Sequence, residues 1–291
     1  MKAIIFGAAG QDGFYLQELL KREGVRVIAV SRSEGFVKKD LTDRQEMNDF
    51  IKAEQPDYIF HFAANSTTRH EVIFENHEVI STGTLHILEA VKEYSQHTRV
   101  FISGSALQFL NEGKPISESA AFAANDPYAV SRIQTVYAAR YFRKLGVKVY
   151  VGYFFNHDSY LRSERHIAKK ISAAVQRIAA GSNEVLEIGD LSVIKEWSYA
   201  GDIVEAVWIL VNQENIYEAV IGSGEGYSVQ EWADECFAVA GLKSGSHIKK
   251  AGDFVSPYAF LVSDNKLITS LGYSPAVSFK MLAKKMMSDE Q

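Results

Sequence analysis

From the second residue to about residue 155, short apolar runs alternate with longer amphipathic stretches. This alternation narrows the possible folds more than any other feature of the chain. The strand-like runs fall at 2–6, 25–30, 58–62, 100–103 and 148–153, and helical patterns fill 13–23, 44–54, 83–94 and 128–145. Strands that are apolar without interruption are buried on both faces, and the helices between them are the cover. The order β-α-β-α-β therefore predicts a parallel, doubly wound sheet. Beyond residue 155 the rhythm weakens: 165–180, 202–211 and 229–240 read as helices and 185–188 as a strand. With 291 residues, 47% of them hydrophobic, the chain has enough apolar material for a large domain carrying a smaller one. The expectation is an α/β fold with a doubly wound domain over 1–155 and a smaller mixed part over 156–291. Some strand and helix is exchanged between them, and the substrate cleft lies where they meet.

The first strand runs straight into Gly7-Ala8-Ala9-Gly10-Gln11-Asp12-Gly13, which opens the first helix. Glycines here permit a tight turn and close approach of a pyrophosphate, which the free N–H groups and the helix dipole then hold. Strand before and helix after are the context that gives a glycine motif meaning, so the first domain reads as a Rossmann-type dinucleotide-binding domain. Gly7, Gly10, Gln11, Asp12 and Gly13 are its candidate cofactor contacts. The second strand ends Val30-Ser31-Arg32-Ser33. An acidic residue there would take the ribose 2′-hydroxyl of NAD, whereas Arg32 between two hydroxyls suits a 2′-phosphate, so NADP is preferred to NAD. Asp40-Leu41-Thr42-Asp43 follows; Asp40 either accepts from the adenine amino group or caps the next helix, and the two roles are compatible.

A second constellation lies in the fourth long helical pattern. Tyr128 and Arg132 are four apart on one helix face and therefore adjacent. A free phenol, with a pKa near ~10, is a poor acid–base group at neutral pH, and a fixed cation beside it favours the ionised form.

Charge and cysteine usage bound the rest. With 31 basic against 36 acidic residues and a net charge of −5, neither nucleic acid nor an anionic membrane is an expected partner. Cys236, the single cysteine, cannot form an internal disulfide; its apolar helical setting with Trp232, Phe237 and Val239 predicts a buried small hydrophobe. No metal is expected. The opening residues lack signal-peptide organisation and no apolar run approaches membrane-spanning length, so a soluble cytoplasmic protein is expected.

Taken together, the Gly7–Gly13 turn, Asp40-Leu41-Thr42-Asp43, His61-Phe62-Ala63-Ala64 and Tyr128-Ala129-Val130-Ser131 resemble the extended short-chain dehydrogenase/reductase family along essentially the whole chain. Within that family the sequence is most similar to GDP-mannose 4,6-dehydratases and GDP-4-keto-6-deoxy-mannose reductases. Gly10-Gln11-Asp12-Gly13, Phe74-Glu75-Asn76, Gly83-Thr84-Leu85, Phe155-Asn156-His157-Asp158-Ser159 and the stretch from Trp197 to Trp208 carry the closer likeness. The resemblance implies a nicotinamide cofactor on the N-terminal sheet, touched also by Leu41, Ala63 and Ala64, and a nucleotide-linked sugar in the C-terminal part. It implies a proton relay through Tyr128 with Arg132 in place of the usual Lys, phosphate or sugar contacts from Asn156, Lys169, Lys170 and Lys195, and a homodimer built on helices 83–94 and 128–145.

Three departures from the family pattern matter. Gly104 takes the place of the active-site hydroxyl, flanked by Ser103 and Ser105 as substitutes. Ala106 takes the place of the carboxylate that a dehydratase needs two residues beyond that hydroxyl. The chain between Arg32 and Asp40 is also too short for the tetramer-building arm of dehydratases. Loss of a general base costs about 10²–10⁴-fold. The expected activity is therefore NADP-dependent hydride transfer at a hexose carbon of a GDP-sugar, of the 4-keto reductase type. A dehydratase, an epimerase and a catalytically impaired cofactor-binding protein are the alternatives.

Overall fold

The computed structural model describes residues 1–65, 67–252 and 256–288. In chain order its first half comprises β1 (Lys2–Phe6), α1 (Gln11–Arg22), β2 (Arg26–Val30), α2 (Arg44–Glu54), β3 (Tyr58–His61), α3 (Ile73–Asn76) and α4 (Gly83–Tyr94). These are followed by β4 (Arg99–Ser105), α5 (Pro127–Lys144) and β5 (Lys148–Phe154). The second half adds β6 (His157–Asp158), α6 (Ile167–Ala179), β7 (Leu186–Ile188), β8 (Ile194–Glu196), β9 (Ser198–Tyr199), α7 (Ala200–Val211) and β10 (Glu218–Ile221).

Six of these strands form one parallel sheet in the order β10-β5-β4-β3-β1-β2. The chain leaves β1 for β2 on one side and returns through α2 to β3 on the other. A switch point therefore lies at the carboxyl ends of β1 and β3, where such sheets bind their ligands. Alternate residues of each strand serve opposite faces. Ala3, Ile5, Phe60 and Phe101 pack on α1 and α7, against Leu16, Leu20, Ile203 and Val207. Ile4, Phe6, Val100 and Ile102 pack on α2, α4 and α5, against Met47, Ile51, Leu88 and Val136. Because both faces are covered, the strands read as unbroken apolar runs.

The sixth strand and its covering helix come from beyond residue 155: β10 pairs with β5, and α7 lies on the sheet beside α1. A third core, around stacked Trp197 and Trp232 with ring centroids 4.6 Å apart, holds α6 and the helices at Val229–Val239 and Phe279–Ser288. Cys236 is buried there.

Local signals set the ends of the elements that carry the site. Asp43 caps α2, accepting from Glu46 N–H at 3.0 Å. Asp126 caps α5, accepting from Ala129 N–H at 2.9 Å with Pro127 as the first helical residue, which fixes Tyr128 in the opening turn. A π-helical turn, His77–Thr82, joins α3 to α4 and has no counterpart in the sequence reading. Its Val79 carbonyl bonds Nε2 of His61, which is fully buried and pushed down to about 3 by burial and by the charge of Arg132.

Candidate active site

At the end of β1, Gly7 takes φ +87°, and a Cβ there would stand 2.7 Å from the Ala63 nitrogen. A Cβ on Gly13 would stand 2.5 Å from the Gly7 carbonyl, so helix and loop pack too closely for any side chain. Gly10 differs: it is exposed, its Cβ direction meets only the Gly7 carbonyl at 3.3 Å, and no side chain caps the helix that it begins. Two closed glycines and one open one leave a backbone cradle facing uncapped N–H groups, which fits a dinucleotide pyrophosphate.

Around this cradle, Ala63 and Ala64 follow β3, with Ala63 against Gly7 and Ala64 lining the cavity described below. Leu41 is buried, with its carbonyl 2.9 Å from Nδ1 of His86. The Asp40 carboxylate accepts from the Thr42 N–H and hydroxyl at 2.9 and 2.7 Å, and these two bonds lower its pKa. Asp43, not Asp40, is the helix cap. The Arg32 side chain is 89% exposed at the sheet edge, 3.7 Å from Glu75.

A cavity of about 320 Å³ runs from this cradle to the C-terminal part, lined by Tyr128, Arg132, Ser103, Ser105, Leu107 and Asn156 among others. Arg132 is buried, and its guanidinium carbon lies 5.0 Å from the Tyr128 ring centroid, as the four-residue spacing requires. One Nη donates to both the carbonyl and the hydroxyl of Ser103, the latter at 3.0 Å, and Ser103 Oγ donates to His61 O at 3.1 Å. The cation is therefore anchored to β4 beneath the phenol.

The strand sets which way residues 103–105 point. β4 extends to Ser105, so Ser103 and Ser105 share one face and Gly104 turns to the other. There a Cβ would meet Tyr153 Cδ1 at 2.7 Å and Gln108 Oε1 at 3.0 Å, so position 104 has no room for a serine or threonine. Ser103 is occupied by Arg132; Ser105 lines the cavity, its Oγ accepting from Leu107 N–H at 3.2 Å. Two residues beyond Gly104 stands Ala106 and two beyond Ser105 stands Leu107, and both line the cavity. Both are apolar, and no carboxylate stands there.

Across the cavity, the segment after β5 is fastened to the phosphate loop. His157 Nε2 lies 2.8 Å from Asp12 Oδ1 while its Nδ1 lies 2.7 Å from Phe155 O. Ser159 Oγ donates to Gln11 Oε1 at 2.8 Å, and Arg162 donates to His157 O at 3.2 Å. Burial alone would raise the Asp12 carboxyl; the charge and hydrogen bond of His157, helped by Arg162, outweigh it and hold the group well below the ordinary carboxylate range. Burial likewise opposes a charged His157, and the Asp12 carboxylate overcomes it, holding the imidazole above its ordinary value. The pair neutralises a carboxylate in the first turn of α1, where it would otherwise repel a phosphate.

Asn156 lines the same cavity, and its buried Oδ1 has no partner among the described residues. Lys195 is 7% exposed, 4.5 Å over the Trp197 ring; burial lowers its pKa while Asp158 opposes. It lines both this cavity and a second of about 540 Å³, walled by Ile188, Val193, Val229, Pro257, Tyr258 and Leu261. Lys169 lies in the first turn of α6 and lines neither cavity; Lys170 donates to Glu187 O at 2.8 Å. The sequence reading missed the Asp12–His157 pair and His166, which also lines the first cavity. The partners of the pair are 145 residues apart, and no local pattern announces either.

Known proteins resemble this chain along nearly its whole length. The family profile described as GDP-mannose 4,6 dehydratase matches residues 31–286. GDP-mannose 4,6 dehydratase 2 of Arabidopsis thaliana is 30% identical over 321 aligned residues, covering 99% of this chain and 86% of the relative. Among solved structures, RMD from Pseudomonas aeruginosa complexed with NADPH superposes with a TM-score of 0.88 at 19% identity, covering 99% of this chain and 98% of that one. The Thermus thermophilus UDP-glucose 4-epimerase complex with NAD gives 0.84 at 20% identity over the same shares. At that identity the two structures speak to the fold alone. No helix among the described residues is long and apolar enough to cross a membrane.

Proposed function

The chain belongs to the GDP-mannose 4,6-dehydratase family of NAD(P)-dependent sugar-nucleotide enzymes, and from that premise we propose that it reduces the 4-keto group of a GDP-hexose with NADPH. The observation that carries this reading is the pairing of a retained proton relay with a missing carbon base. Tyr128 and Ser105 line one cavity, while Ala106 and Leu107, two residues beyond Gly104 and Ser105, bring no carboxylate to it. The cofactor, when bound, supplies the hydride. Tyr128 gives the sugar oxygen its proton, Ser105 donates a hydrogen bond to that oxygen, and Arg132, anchored by Ser103, supplies the positive field beneath the phenol.

Binding follows the same geometry. The Gly7–Gly13 cradle takes the pyrophosphate, and the exposed Arg32 takes a 2′-phosphate. Asn156 and Lys195 face the sugar nucleotide near its diphosphate, with Lys169 on the adjoining helix. The second cavity, entered past Lys195, suits the base.

A dehydratase is the second reading, favoured by the activity for which the Arabidopsis relative is named; it requires a base from somewhere other than positions 106 and 107. Purified protein offered GDP-4-keto-6-deoxy-mannose with NADPH, and separately GDP-mannose with NADP, separates the two. Loss of the dihydronicotinamide absorbance in the first reaction, and no keto sugar in the second, is the expected result. The converse overturns the reductase.

A further inference from the structure

Arg32 and Glu75 meet across the mouth of the cofactor cradle. In the sheet β1 lies between β2 and β3, and the Gly7–Gly13 cradle opens from the end of β1. Arg32 stands just beyond β2, and Glu75 stands on α3, beyond β3. An Nη of Arg32 nevertheless lies 3.7 Å from a carboxylate oxygen of Glu75. The pair therefore spans the end of β1, a distance of two strand spacings or about 10 Å.

The carboxylate is held in that place. Asn65, two residues beyond Ala63, donates through Nδ2 to Glu75 Oε2 at 3.1 Å. Next along α3, Asn76 is fully buried and donates to Thr67 O at 3.3 Å, which fastens the short helix. The neighbouring lysines are engaged elsewhere: Lys38 donates to Arg32 O at 2.6 Å and to Ser33 O, and Lys39 to Glu46 at 3.0 Å. Two readers of a ribose thus stand face to face. An acid at the end of the second strand takes the 2′-hydroxyl of NAD, and an Arg there accommodates the 2′-phosphate of NADP. Here the strand supplies the Arg, and α3 supplies the acid from the other side of the cradle. A carboxylate accepts a hydrogen bond from a hydroxyl but repels a phosphate, and the two anions compete for one guanidinium.

We propose that Glu75 sets the choice of cofactor: its carboxylate accepts from the 2′-hydroxyl of NADH and opposes the 2′-phosphate of NADPH, so that the protein binds both. NADPH must draw Arg32 away from Glu75, and its advantage is smaller than Arg32 alone would give. The proposal rests on the reading that a dinucleotide lies in the cradle with its adenosine ribose at the end of β2.

The test is a binding titration of the full chain with NADPH and with NADH, followed by dihydronicotinamide fluorescence, in wild type, Glu75→Gln and Arg32→Ala. Gln keeps an oxygen for Asn65 and removes only the charge. Glu75→Gln is expected to tighten NADPH about fivefold, as release of Arg32 from an exposed ion pair allows. It is expected to weaken NADH about threefold, as a charge-assisted hydrogen bond becomes a neutral one. A merely structural role would move both cofactors in the same direction, and that result, or no change in either, overturns the proposal. Arg32→Ala separates this failure from that of the underlying reading. If it weakens NADPH while Glu75→Gln moves neither cofactor, the proposal alone falls. If it leaves NADPH binding unchanged, the ribose is not at the end of β2 and both fall, as they do if wild type binds neither cofactor.

Discussion

At Gly104 a hydrogen is the largest substituent the fold accepts, because Tyr153 and Gln108 already fill the Cβ direction. Gly104→Ala is therefore an overpacking change and is expected to cost about 1–3 kcal/mol, read as a lower urea midpoint at unchanged slope; no loss would mean that Tyr153 can move aside. Position 107 makes the complementary prediction for chemistry. Leu107→Glu places a carboxylate two residues beyond Ser105, and a gain of about 10²-fold in formation of keto sugar from GDP-mannose is expected. A variant that folds and shows no gain would remove Leu107 from the argument. At the sheet edge, Arg32→Ala is expected to raise KM for NADPH about tenfold while leaving KM for NADH unchanged, since one charge-assisted contact is lost. Equal effects on both cofactors would argue for NAD.

At the scale of elements, the Asp12–His157 pair ties the first turn of α1 to β6, and so the glycine loop after β1 to the segment after β5. His157 is 7% exposed and Asp12 21%, so the pair is largely desolvated. His157→Gln is expected to cost about 3 kcal/mol, at the low end for breaking a buried pair. The pH dependence has a definite sign. The folded-state value of Asp12 lies below its ordinary 3.8, so its contribution is complete above that pH and is lost as pH falls through the folded value. The folded-state value of His157 lies above its ordinary 6.5, so its contribution is complete below that pH and is lost as pH rises through the folded value. The latch is therefore strongest between about pH 4 and 6.5. Thermal unfolding of wild type and His157→Gln across pH 3–9 should show their difference greatest in that window; a constant difference would mean that charge is not what the latch uses.

Considered as a whole, the molecule leaves apolar surface on one side. Leu85 of α4 and Val130, Tyr137 and Tyr141 of α5 are all exposed, Tyr137 and Tyr141 by 59% and 58%. Monomers rarely leave such a surface bare, and pairing α4 and α5 with their copies would cover it across a two-fold axis. Light scattering is expected to give a dimer, and Tyr137→Glu with Tyr141→Glu a monomer. A monomeric wild type would leave these side chains simply solvated. None of these four side chains lines the cavity, so the double variant should keep its NADPH-dependent turnover.

The architecture was legible because local physics wrote it. Unbroken apolar strands are what two-sided cover demands, and the glycines at 7, 10 and 13 stand where strand, turn and helix leave no room or need open backbone. The adjacency of Tyr128 and Arg132 followed from helical periodicity alone. What the chain did not reveal were facts about facing surfaces. The direction of Gly104 depended on β4 running two residues further than its apolar pattern and on Tyr153 filling the space beside it. The partner of Asp12 lay 145 residues away, and His166 met the cavity only when α6 brought it to the wall that holds Tyr128. Periodicity records which face a residue takes within its own element; what stands opposite is decided only when elements pack.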